Sequence, residues 1–163
     1  MSSVPIEGYT YPTRTQERSG SKNIFIVHGQ DEIPKLSLAN FLYKIGLNPI
    51  ILHDQPNKGK TIIEKFEENA ATAGYAFILL TPDDICGTSK MGQRNRSRQN
   101  VILELGYFMG ALGRDRVCCI YKEGVELPSD ILGVIYVEYS RDIKECFTDL
   151  TRELESAGYT INQ

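Results

Sequence analysis

The stretch Tyr75-Ala-Phe-Ile-Leu-Leu80 decides the fold: six consecutive apolar residues, with Gly74 in front and Thr81-Pro82 behind. A short run that is apolar at every position reads as a strand buried on both faces of a sheet. Four similar runs share the chain with it: Ile24–Val27, Pro49–Leu52, Arg116–Tyr121 and Val134–Val137. Between them the apolar period changes to that of a helix. Leu36, Ala39, Leu42 and Tyr43 run up to a stop at Gly46, and Ile143, Phe147, Leu150 and Leu154 run up to Gly158. Thr61-Ile-Ile-Glu64 has capping-box spacing and opens a helix with Ile62, Phe66, Ala70 and Ala73 on one face. Apolar strands separated by helices predict an α/β, flavodoxin-like three-layer sandwich around a five-stranded parallel sheet of order 2-1-3-4-5.

Composition sets the bounds. The chain has 163 residues, enough for one full core, and residues 23–163 form the expected domain. Residues 1–22 carry Gly8, Gly20, Pro5 and Pro12 without periodicity and read as a flexible lead or linker. A net charge of -3 gives no electrostatic case for nucleic acid or an anionic membrane. No apolar run reaches membrane-spanning length, and the polar start is not a signal peptide. The four cysteines form no CxxC pair, and Cys118 and Cys119 read as small core residues. With two histidines in the chain, no metal site is expected. These features predict a cytoplasmic protein in a reducing compartment.

Chemistry in such sheets gathers beyond the carboxyl ends of the strands. That places His28, Gly29 and Asp31 after the first strand, the loop His53–Lys60 after the second, and Thr81, Asp83 and Asp84 after the third. The next helix, Arg98-Gln-Asn-Val-Ile-Leu-Glu-Leu-Gly-Tyr-Phe-Met-Gly-Ala-Leu112, holds one ionisable group between Val101 and Leu112 other than a tyrosine, Glu104. A helix apolar all round is buried, so Glu104 should be protonated, paired with Arg98 or Arg116, or used. Asn100 precedes it by one turn and Tyr107 and Phe108 follow by one. Gly106 and Gly110 suit close packing of another backbone.

Gly59-Lys60-Thr61 suggests a P-loop, but Asp54 stands where that loop needs its first glycine, and a carboxylate there repels phosphate. Lys58, Lys60 and the helix start at Thr61 still make a positive rim suited to an anionic group. A phosphoacceptor receiver is disfavoured because its third strand ends in Thr81-Pro82, with Asp83 and Asp84 too late.

With these pieces in order, the sequence resembles the TIR-like domains of cyclic-nucleotide-triggered antiphage effectors. The matching stretches are Phe25–Asp31, Pro49–Glu64, Leu80–Asp84, Arg98–Phe108 and Glu126–Gly133. The resemblance implies an NAD glycohydrolase active when assembled, with NAD as substrate, no cofactor and Glu104 as the essential carboxylate. From their place at the strand ends and on the helix, His28, Gly29, Asp31, Thr81, Asp83, Asp84, Arg98, Asn100 and Tyr107 are the residues expected to bind that substrate. The loop carrying His53, Gln55, Pro56, Lys58, Gly59 and Lys60 would contact a neighbouring copy, so self-association is expected. Gly59 favours a loop that is mobile in the single chain and ordered at that contact. A cyclic-nucleotide sensor, usual in the family, is expected elsewhere, since 163 residues leave no room for one. The rival readings are a non-catalytic TIR scaffold and a nucleotide-binding regulator without turnover.

Overall fold

The structure, a computed structural model, describes residues 20–82, 91–127 and 133–162, with 91–98 described for their backbone alone. Strands β1 (Asn23–Val27), β2 (Asn48–Ile50), β3 (Tyr75–Leu80), β4 (Val117–Lys122) and β5 (Ile135–Tyr139) form one parallel sheet in the order β2-β1-β3-β4-β5. Helices α1 (Glu32–Lys44) and α4 (Phe147–Ser156) cover one face, and α2 (Ile62–Thr72) and α3 (Met91–Leu112) the other. This is the predicted doubly covered sandwich.

The pleat of β3 shows why the sequence gives this result. All six of its residues are buried. Tyr75, Phe77 and Leu79 pack with Leu38 and Leu42 of α1 and Leu150 and Leu154 of α4. Ala76, Ile78 and Leu80 pack with Phe66 of α2 and Leu105 and Phe108 of α3. Period-two alternation thus feeds two separate cores, and the strand has no polar face to offer water. The chain reverses its direction of travel across the sheet between β1 and β3, which makes that crevice the switch point.

Several local expectations are corrected. Strand β2 stops at Ile50, and Leu52 enters a short 3-10 turn, Leu52–Asp54. Strand β5 runs Ile135–Tyr139 instead of starting at Val134. Helix α3 begins at Met91, inside the stretch read as a loop up to Arg98. Its first turns are polar and carry no apolar period, the one signal that could have marked them as helical. On α1 the buried line is Leu38 and Leu42, while Leu36 and Tyr43 face solvent. Ile62, assigned to the core face of α2, is 81% exposed, whereas Phe66 and Ala70 are buried as expected.

At the amino ends of the strands, two residues assigned to the lead belong to the fold. Ser21 donates from Oγ to the Thr72 carbonyl (2.7 Å) and accepts at its carbonyl from Tyr159 Oη (2.8 Å). The Lys22 carbonyl accepts from Asn48 N (2.9 Å). Arg116 fastens the same edge, donating to the carbonyls of Gly74 (2.9 Å) and Ala157 (2.6 Å) while lying over the Tyr159 ring.

Candidate active site on helix α3

Helix α3 is not buried all round. Val101, Leu105, Phe108 and Leu112 form its core stripe, at spacings of four, three and four. Leu103 is 66% exposed. Gly106 and Gly110 are exposed as well, and a Cβ on either would meet nothing within 4 Å, so no backbone among the described residues packs against them. The composition of α3 concealed this because its outward positions are leucine and glycine instead of charge.

Glu104 sits at the border between stripe and solvent, half-buried. Its carboxyl lies beside a cavity of about 300 Å³ lined by Leu52, Ile62, Ile63, Phe66, Asn100, Leu103, Glu104 and Tyr107. Two of the predicted partners, Asn100 and Tyr107, are therefore brought to the same place as Glu104. The cavity lies on the carboxyl side of β2, since Leu52 follows that strand and Ile62 and Ile63 open the next helix. Two of its lining rings meet edge-on, Phe66 and Tyr107 (5.0 Å, 72°), and Phe66 is set in turn against the core rings of Phe25 (5.6 Å, 80°) and Phe108 (5.8 Å, 77°). Such contacts fix ring positions more sharply than aliphatic packing does.

The electrostatics follow from that lining. Burial alone pushes the Glu104 carboxyl up to about 7. The expected pairing with Arg116 is not made, because that guanidinium is engaged at the opposite end of the sheet. Among the described residues no ion pair involves Glu104, and the Arg98 side chain lies outside them. A carboxyl in an apolar cavity, without an ion-pair partner among the described residues, makes Glu104 a candidate functional group.

The loop after β2 carries its own hydrogen bonds in the single chain. Gln55 N donates to the Leu52 carbonyl (3.1 Å) and Lys60 N to the Asn57 carbonyl (2.9 Å). Lys65, buried on α2, donates to Asn57 Oδ1 (3.0 Å), and Lys60 pairs with Glu68. Lys58 and Gly59 take positive φ, 48° and 71°, so the glycine is needed for the turn itself. Thr61 then caps α2, its Oγ1 accepting from Glu64 N (3.3 Å) while Glu64 Oε2 accepts from Thr61 N (2.9 Å).

The remaining described candidates, His28, Gly29, Asp31 and Thr81, are not among the residues that line the cavity. His28 packs 5.5 Å from His53, ring centre to ring centre, and its Nδ1 lies 2.7 Å from the Gly29 carbonyl. Burial, with Lys35 and His53 nearby, holds His28 below the ordinary histidine value. Asp31 caps α1, accepting from Ile33 N (3.2 Å). Thr81 is buried after β3 with an Oγ1 that has no partner among the described residues. Asp83 and Asp84 fall outside the described residues. What sequence reading missed is the apolar wall of Leu52, Ile62, Ile63 and Leu103. The adjacent Ile62-Ile63 pair was the available signal, since a single helix face cannot bury both.

Comparison with known proteins agrees with this geometry. Residues 23–141 match the family described as "CAP12/Pycsar effector protein, TIR domain". The Escherichia coli protein YuaY is 44% identical over 134 residues, which is 82% of this chain and 45% of YuaY. Protein tirC of Dictyostelium discoideum is 34% identical over 147 residues, 83% of this chain and 71% of tirC. The Pycsar effector protein BcPycTIR of Burkholderia cepacia is 51% identical over 85 residues, 50% of this chain and 27% of that effector. The chain thus spans under half the length of YuaY and about a quarter of BcPycTIR. A parallel sheet in the order 2-1-3-4-5 and a family match that runs from β1 to just past β5 lead to one assignment: the chain belongs to the CAP12/Pycsar effector TIR-domain family.

Proposed function

We propose that this domain cleaves NAD at the bond between nicotinamide and ribose when copies of it assemble, as an effector of antiphage defence. The observation that carries the reading is Glu104, a carboxyl without an ion-pair partner among the described residues, on the wall of a cavity that Phe66 and Tyr107 also line. In this reaction the C1′–N1 bond breaks and its electron pair leaves with nicotinamide, which departs neutral. Water supplies the oxygen at C1′, and its proton passes to solvent. No general acid is needed for departure, in contrast to ordinary glycosides with two carboxylates. Ionised Glu104 accepts hydrogen bonds from the ribose hydroxyls and stabilises the positive charge that builds on the sugar. Phe66 and Tyr107 offer ring edges and faces to the pyridine. A cavity of about 300 Å³ holds that ring and little more, so the rest of the dinucleotide lies across the strand ends.

A non-catalytic TIR interaction module is the second reading, favoured by Ile33, Leu36 and Tyr43, which are 77%, 55% and 75% exposed on α1. One assay separates the two. Concentrated protein is incubated with NAD, with and without a crowding agent, and released nicotinamide is measured for the wild type and Glu104→Gln. Glycohydrolase chemistry predicts turnover that rises with crowding and is lost in the variant; equal turnover in both proteins sinks the reading and promotes the scaffold.

A further inference from the structure

The cavity beside Glu104 contains a second polar side chain whose task the glycohydrolase reading leaves open. Of its eight lining residues, five are aliphatic or Phe, one is Tyr107, and the other two are Asn100 and Glu104. Asn100 lies one helical turn before Glu104, so both point to the same side of α3. No hydrogen bond ties the Asn100 amide to another described residue, which leaves its donor and its acceptor open to a ligand.

We propose that Asn100 is a specificity-determining residue that pairs with a primary carboxamide on the pyridine ring and so selects the amide over the acid. A carboxamide carries one acceptor oxygen and one NH₂ donor, the same inventory as an asparagine side chain in mirror order. The two can therefore exchange reciprocal hydrogen bonds. A ring carboxylate has no donor, so the Asn100 carbonyl loses its partner. It also brings a negative charge toward Glu104, in a wall too apolar to screen it. Sites that hydrogen-bond a substrate group reject analogues lacking it far better than apolar pockets reject a change of size. Asn100 is itself exposed in the single chain, so the discrimination here is set at about tenfold or more.

The assignment rests on the glycohydrolase reading for the identity of the ring, but its test does not need turnover. Binding of nicotinamide and of nicotinate to the full chain is followed by protein-observed NMR, for the wild type and Asn100→Leu. The expected result is nicotinamide about tenfold tighter than nicotinate in the wild type. Asn100→Leu should weaken nicotinamide by about tenfold and change nicotinate little, with an unchanged melting temperature showing that the variant folds. Equal affinity for the two rings, binding of neither, or an Asn100→Leu variant that keeps the wild-type preference overturns the assignment. The two ideas fail separately. Asn100-dependent nicotinamide binding without release from NAD would leave the assignment standing and remove the glycohydrolase; NAD cleavage by a protein indifferent to amide or acid would do the reverse.

Discussion

Replacing Glu104 by Gln should stabilise the protein, and by an amount that depends on pH in a calculable way. In the unfolded chain this carboxyl titrates at its ordinary value of 4.5, whereas in the fold burial raises it to about 7. The folded state therefore holds the proton longer, and stability falls as pH rises from 4.5 through 7, levelling out above. At 1.36 kcal/mol per pKa unit, the ionised side chain costs the fold about 3 kcal/mol at pH 9 and about 1 kcal/mol at pH 5. Gln has the same shape and no proton to lose, so it opens no cavity and carries none of that cost. For a chain of this size about 1 kcal/mol moves the melting temperature by about 2–4 °C, so the variant should gain about 6–12 °C over the wild type at pH 9. Near pH 5 the gain should shrink to about 2–4 °C. Thermal melts of both proteins at the two pH values suffice, because every other titrating group cancels in the difference. A melting-temperature difference that is the same at both pH values, or a variant less stable at both, would refute the claim that Glu104 is a desolvated, unpaired carboxyl.

The other predictions use different handles. If ionised Glu104 is the working form, nicotinamide release should climb with pH through about 7, while stability falls over the same interval; a flat profile of initial rates between pH 6 and 8 would count against it. Lys65→Met keeps the buried stem but removes the donor to Asn57, so limited proteolysis should cut between Gln55 and Lys60 faster with little change in melting temperature. Thr61→Ala removes the cap of α2 and should cost about 1 kcal/mol in urea unfolding, with no loss if the cap is idle.

The parts of this protein that the sequence made legible are those in which one physical signal dominates. Tyr75–Leu80 could only be a doubly buried strand, and Thr61-Ile-Ile-Glu64 could only cap a helix. Glu104, Asn100 and Tyr107 were recognisable because helical spacing alone places them together. Reading failed where apolar residues outnumbered the faces available to bury them. Leu36, Tyr43, Ile62 and Leu103 are as apolar as their buried neighbours, and only the tertiary arrangement decides which of them meets the sheet. The walls of the cavity come from β2's exit, α2 and α3, far apart in the chain, and no local pattern reports that they converge.

The hydrogen bond from Tyr159 to Ser21 bears on topology more than on stability. It fastens residues 138 positions apart in the chain, at the amino edge of the sheet, while the cavity opens on the carboxyl side of β2. Ser21 and Tyr159 therefore meet at the same edge, away from Glu104. Two positions this close also make residues 21–159 a candidate for circular permutation. A short linker joining Tyr159 to Ser21, with the chain reopened in the exposed turn at Glu123-Gly124, keeps all five strands in register and moves both new ends toward the carboxyl edge. The same fold could thus carry a fused partner either behind its sheet or beside the edge that holds Glu104, according to where the chain is opened.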